Sequence, residues 1–128
     1  NDTYNANPQS MRAAVQVLSN ANGEHKIAVL GDMFELGPLA PALHAGIGEY
    51  LGKAGIQCLV AVGELAKHIY TAAQEAGVPQ CFYCETKEQA KPVLDELVKP
   101  DATILVKASR GMAMEELVEY LLTITKEA

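Results

Sequence analysis

Lys26-Ile27-Ala28-Val29-Leu30, closed by Gly31-Asp32, is the stretch from which the fold follows. A strand with one wet face would alternate apolar and polar side chains. Four consecutive apolar residues instead read as a strand covered on both faces. Three more runs fit that reading: Cys58-Leu59-Val60-Ala61-Val62, Gln80-Cys81-Phe82-Tyr83-Cys84 and Thr103-Ile104-Leu105-Val106.

Between these runs the apolar spacing changes to that of a helix. Met11, Ala14, Val15 and Leu18 share one face, as do Leu43, Ile47, Tyr50, Leu51 and Ala54. Leu65, Ile69, Ala72, Ala73 and Ala76 form a narrower stripe, and Met114, Leu117, Val118, Leu121 and Leu122 a stronger one. Asn7-Pro8 marks one helix start, and Thr86-Lys87-Glu88-Gln89 reads as a capping box at another. Pro92 falls inside that second segment and predicts a kink or a short helix. Strands alternating with helices give right-handed crossovers, hence a single α/β domain over residues 1–128 with a mainly parallel sheet. The expected architecture is a three-layer α/β/α Rossmann-like domain. The run at Asp2 reads as the end of a strand whose upstream part and partner are missing, so the chain is expected to be a fragment.

With 128 residues, 49% of them hydrophobic and only two phenylalanines, the core is expected to be aliphatic. A net charge of -6 and no basic stripe argue against nucleic-acid or anionic-membrane partners. No apolar run reaches the roughly 18 residues of a membrane span, and Asn1-Asp2-Thr3-Tyr4 lacks the pattern of a secretory leader, so a cytoplasmic protein is expected. Three cysteines are an odd number in a chain of this size, and reduced thiols are expected. Cys81 and Cys84 are an odd number of residues apart, which on a strand sends their sulfurs to opposite faces rather than to one metal. No metal site is expected.

Ligands of open parallel sheets bind outside the carboxyl ends of the strands. Three loops there are unusual. Asp2-Thr3-Tyr4-Asn5-Ala6-Asn7-Pro8-Gln9-Ser10 is dense in short hydrogen-bonding side chains. Its two amides suit either recognition of a base or sugar edge or plain capping and turning, and composition does not choose. Gly31-Asp32-Met33-Phe34-Glu35-Leu36-Gly37 offers Asp32, a candidate for holding a cation's water or a ligand amine. The competing reading is that Asp32 and Glu35 simply favour the positive end of the following helix. Lys107-Ala108-Ser109-Arg110-Gly111-Met112 is expected at the start of the last helix. Cations there oppose the helix dipole unless an anion is bound, so the loop suits a carboxylate or phosphate, or is a solvated pair. Neither a Gly-x-x-x-x-Gly-Lys-Ser/Thr loop nor a Gly-x-Gly-x-x-Gly turn is present. His25, His44 and His68 lie on separate segments without triad partners and read as surface or packed residues.

Asp2-Thr3-Tyr4-Asn5-Ala6-Asn7-Pro8, Leu30-Gly31-Asp32-Met33-x-Glu35-Leu36-Gly37 and Lys107-Ala108-Ser109-Arg110-Gly111-Met112 together resemble the C-terminal-domain motifs of the Mur ligase family. Ala108 stands where many members carry glycine. The resemblance is strongest to the branch that joins D-alanyl-D-alanine to UDP-N-acetylmuramoyl-tripeptide in bacterial peptidoglycan precursor synthesis. It implies a parent with an N-terminal UDP-sugar domain and a central ATPase domain, both outside this chain, which act as its partners. It also implies ATP and Mg²⁺, held mainly by the central domain, and an acyl phosphate attacked by the dipeptide amine. Carried over by position, Asp2, Tyr4, Asn5 and Asn7 would meet ATP at its adenosine, while Lys107, Ser109 and Arg110 would line the dipeptide site. Asp32 would be the catalytic candidate, near the attacking amine. By this reading the isolated domain is inactive. Another amide ligase of the family, or a stand-alone small-anion-binding module, is the alternative.

Overall fold

A computed structural model describes residues 6–126. Strands β1 (Lys26–Gly31), β2 (Cys58–Val62), β3 (Gln80–Cys84) and β4 (Thr103–Lys107) alternate with helices α1 (Pro8–Asn20), α2 (Ala40–Lys53), α3 (Ala66–Glu75), α4 (Lys87–Leu97) and α5 (Glu115–Lys126). The four strands form one sheet in the order β3-β2-β1-β4, and every pairing is parallel.

The consecutive apolar runs are explained by helices on both faces. Ala28, Leu30, Leu59 and Ala61 belong to one core with residues of α1, α2 and α3. Ile27, Val29, Val60 and Val62 face the other, with Ala90 and Leu94 of α4 and Leu117 and Leu121 of α5. Cys81 packs on the first core and Cys84 in the second, so the two thiols lie on opposite faces; all three cysteines are free. Burial raises each thiol's pKa, that of Cys58 to about 11.

Helices α2 and α3 lie unusually close because glycine stands where they cross. A Cβ at Gly48 would fall 2.4 Å from the carbonyl oxygen of Ile69 and 2.7 Å from the amide nitrogen of Ala73, and one at Gly52 would fall 2.6 Å from Ala76 Cβ. The small residues of α3 thus let two backbones approach rather than fill space. Thr86 and Gln89 make the expected capping box of α4, which continues through Pro92 over 11 residues. Strand β2 is buried throughout, whereas every residue of the outer strand β4 is half-buried, beside the exposed Val118 and Leu122 of α5. No helix among the described residues is long and apolar enough to cross a membrane.

Candidate functional site

From β1 the chain moves through α2, β2 and α3 to β3 on one side, then returns by α4 on the opposite face to β4. Right-handed connections require that change of face when the direction reverses. The loops after β1 and β4 thus follow neighbouring strands whose ends are in register at Leu30 and Lys107, at the carboxyl edge where ligands of such sheets bind. The C-terminus of α1 is tied to the amino end of β1, where the Lys26 ammonium donates to Ser19 O at 2.7 Å. Thirteen residues of α1 span about 20 Å, which carries its N-terminus back to the carboxyl edge of the sheet.

Asn7 sits at that N-terminus as an N-cap: its Oδ1 accepts the Ser10 amide at 2.8 Å, and Ser10 Oγ accepts the Asn7 amide at 3.1 Å. The capping alternative is thus realised for the Asn7 oxygen, while its Nδ2 has no partner among the described residues. Asp2, Tyr4 and Asn5 lie outside the described residues.

Asp32 is 6% exposed and points away from solvent. Its Oδ1 accepts the Ala66 amide at 2.7 Å at the start of α3, so it favours the positive end of that helix rather than of α2. Both carboxylate oxygens lie against Gly63, where a Cβ would approach them to 2.5 and 2.8 Å. Gly63 is itself held at φ +119°, with its amide donating to Cys84 O and its carbonyl accepting from the Tyr83 hydroxyl. Burial raises the Asp32 pKa, partly offset by the Ala66 amide and by His44. Through Oδ1 the carboxylate ties the loop after β1 to the start of α3.

The loops after β1 and β4 form one body. The Ser109 amide donates to Asp32 O at 2.9 Å, and Ser109 Oγ accepts the Phe34 amide at 2.7 Å. Ser109 is 1% exposed. A Cβ at Gly111 would meet the Phe34 ring at 2.9 Å, and one at Gly31 would meet Ala108 Cβ at 2.8 Å. Ala108 in place of glycine therefore packs directly over Gly31. The hydroxyl of Ser109 is an inter-loop pin, a role its sequence position does not disclose.

One expectation is corrected here. The 107–112 segment does not open the last helix: Arg110–Met112 is a single 3-10 turn, Ala113 adopts a left-handed φ of 52°, and α5 begins at Glu115. The first turn of α5 is acidic, with Glu115 and Glu116, so it is these that complement its dipole. Lys107 and Arg110 stand one turn earlier, and the helix-dipole ground for an anion there is absent. What the structure brings together instead is a shallow depression of mixed charge, lined by Lys107, Ser109, Arg110, Met114, Glu115 and Val118. Among the described residues no three His, Cys, Asp or Glu side chains are grouped to hold a metal.

The parallel sheet, its two helical layers and its joined strand-end loops define a Rossmann-like α/β domain. A "Mur ligase, glutamate ligase domain" pattern matches residues 1–110, and the chain belongs to that family. It is 42% identical over 120 residues to the Escherichia coli UDP-N-acetylmuramoyl-tripeptide--D-alanyl-D-alanine ligase, covering 94% of this chain and 26% of that enzyme. The Bacillus subtilis ligase of the same name is 38% identical, with 95% and 27% covered. Among solved structures, MurF from Acinetobacter baumannii superposes with a TM-score of 0.84 at 36% identity over 95% of this chain and 27% of that one. MurF from Thermotoga maritima in complex with ADP superposes with 0.79 at 27% identity, over 99% and 28%. The chain thus spans about a quarter of the length of the relatives it matches.

Proposed function

We propose that this chain is the C-terminal domain of a cytoplasmic bacterial ligase that joins D-alanyl-D-alanine to UDP-N-acetylmuramoyl-tripeptide at the expense of ATP. The observation that carries the reading is 42% identity to an enzyme of that name along 94% of the chain. In this reading the remaining domains bind the UDP-sugar and the ATP phosphates. The tripeptide carboxylate becomes an acyl phosphate, the dipeptide amine attacks its carbonyl carbon, and phosphate leaves as the amide forms. In this reading Mg²⁺ is held mainly by the central domain.

This domain orients. The Asn7 amide, with Asp2, Tyr4 and Asn5, meets adenosine, and Lys107 and Arg110 meet the dipeptide from the loop that the buried Ser109 holds in place. The mixed-charge lining that includes Lys107, Arg110 and Glu115 suits a zwitterion, which a free dipeptide is. Asp32 serves the reaction by holding loops in place, a contribution of orientation rather than proton transfer.

Two substitutions in the full-length enzyme test the assignment. Arg110→Ala is expected to raise the KM for D-alanyl-D-alanine about tenfold or more, the loss of a charge-assisted hydrogen bond, with the KM for ATP unmoved. Movement of the ATP constant alone would refute the dipeptide role. At Asn7, aspartate keeps the cap oxygen but loses the amide donor, whereas alanine also removes the cap and costs about 1 kcal/mol of stability. A raised ATP KM in both, with destabilisation in Asn7→Ala alone, supports adenosine contact. An unchanged ATP KM in Asn7→Asp leaves Asn7 with capping only.

A further inference from the structure

His44 lies in α2, outside the loops singled out by sequence, and its ring is completely buried. Both ring nitrogens are engaged. Nδ1 faces Ala40 O at 2.7 Å, an acceptor, so this nitrogen carries the proton. Nε2 then has a lone pair, which accepts the Met33 amide at 2.9 Å. This arrangement admits one tautomer of the neutral imidazole and excludes the imidazolium, in which two N–H groups would face each other.

Met33 sits between Asp32, whose carbonyl accepts the Ser109 amide, and Phe34, whose amide donates to Ser109 Oγ. The backbone position fixed by His44 is therefore passed, through two hydrogen bonds at Ser109, to the segment bearing Lys107 and Arg110. We propose that neutral His44 is a positioning residue that latches the 32–34 loop and, through Ser109, holds the dipeptide-binding segment in register. This rests on the ligase reading given above.

The titratable groups facing the ring are Asp32 from the loop after β1, which favours the imidazolium, and His68 of α3, which opposes it. Burial, aided by His68, outweighs the Ala40 carbonyl and Asp32 and holds the His44 pKa below its ordinary 6.5. A depressed histidine stabilises the folded state fully above the unfolded pKa, and that contribution is lost as pH falls through 6.5 toward the folded value. The latch is thus closed at neutral pH and opens on the acid side.

The experiment uses the full-length enzyme with His44→Gln, whose Oε1 reaches the Nε2 position and accepts the Met33 amide without titrating, and His44→Leu, which leaves that amide unpaired. Hydrogen exchange by mass spectrometry, corrected for the intrinsic pH dependence, follows the peptide containing Met33 between pH 5 and pH 8. The unaltered enzyme is expected to lose protection there about tenfold below pH 6 and to show a parallel rise in the KM for D-alanyl-D-alanine, with the ATP constant flat. His44→Gln should abolish both acid dependences while keeping neutral-pH activity, and His44→Leu should raise the dipeptide KM at every pH. Acid dependence that persists in His44→Gln, or protection that does not vary with pH in the unaltered enzyme, overturns the latch. If the unaltered enzyme hydrolyses no ATP in response to the dipeptide, the ligase reading falls instead, and the exchange data alone then decide whether His44 holds the loop.

Discussion

Replacing Gly48 by alanine is expected to lower the thermal midpoint by about 10 °C or more, while the same change two residues earlier, at Gly46, raises it slightly. Both glycines lie in the interior of α2, where alanine is favoured intrinsically by about 1 kcal/mol. At Gly46 nothing lies within 4 Å of a new Cβ, so that gain is realised. At Gly48 the Cβ meets the carbonyl oxygen of Ile69 at 2.4 Å and the amide nitrogen of Ala73 at 2.7 Å, both backbone atoms that cannot rotate aside. Prising α3 from α2 costs about 3 kcal/mol net of the propensity gain, against a total stability on the order of 5–15 kcal/mol. Calorimetry on the two variants decides the matter: equal shifts of one sign would show that the close approach of the helices does not depend on Gly48.

Gly63→Ala should be comparably damaging for a different reason. A residue at φ +119° is outside the range L side chains adopt readily, which costs about 1–3 kcal/mol before any contact is considered. The new methyl would also press on the Asp32 carboxylate and pull it from the Ala66 amide, forfeiting a hydrogen bond to a charged group worth about 1.5–3 kcal/mol. The two parts separate in a double-mutant cycle with Asp32→Gly, which removes the contact and leaves the backbone strain. Denaturant midpoints should then show Gly63→Ala costing clearly less in the Asp32→Gly background. Full additivity would mean that Asp32 and Gly63 do not interact.

The difference between those two glycines explains which parts of the molecule were legible in the sequence. Strands covered on both faces print themselves as consecutive apolar residues, and Lys26 to Leu30 could be read directly. The cap at Asn7 and the box at Thr86 were legible because each is settled within four residues. What stayed hidden depends on contacts between distant segments. Asp32 was legible as a strand-end acid, but not its partner amide at Ala66 in a different loop. His44 reads as a surface or packed residue and is packed, but its backbone partners at Ala40 and Met33 leave no spacing pattern. The late start of α5 did leave a local signal, the acidic pair Glu115 and Glu116, which the nearer cations at Lys107 and Arg110 obscured.

The half-buried strand β4 bears on how the isolated domain behaves in a tube. Among the described residues β4 is an outer strand, and such a strand presents a row of backbone donors and acceptors to which an extended chain can add, with the exposed Val118 and Leu122 of α5 supplying apolar adhesion. Separated from the rest of a parent enzyme, the domain therefore carries a colloidal weakness unrelated to its thermodynamic stability. Its net charge of -6 opposes self-association through long-range repulsion, which salt weakens by shortening the screening length. Low ionic strength and dilute storage are the conditions that keep such molecules apart.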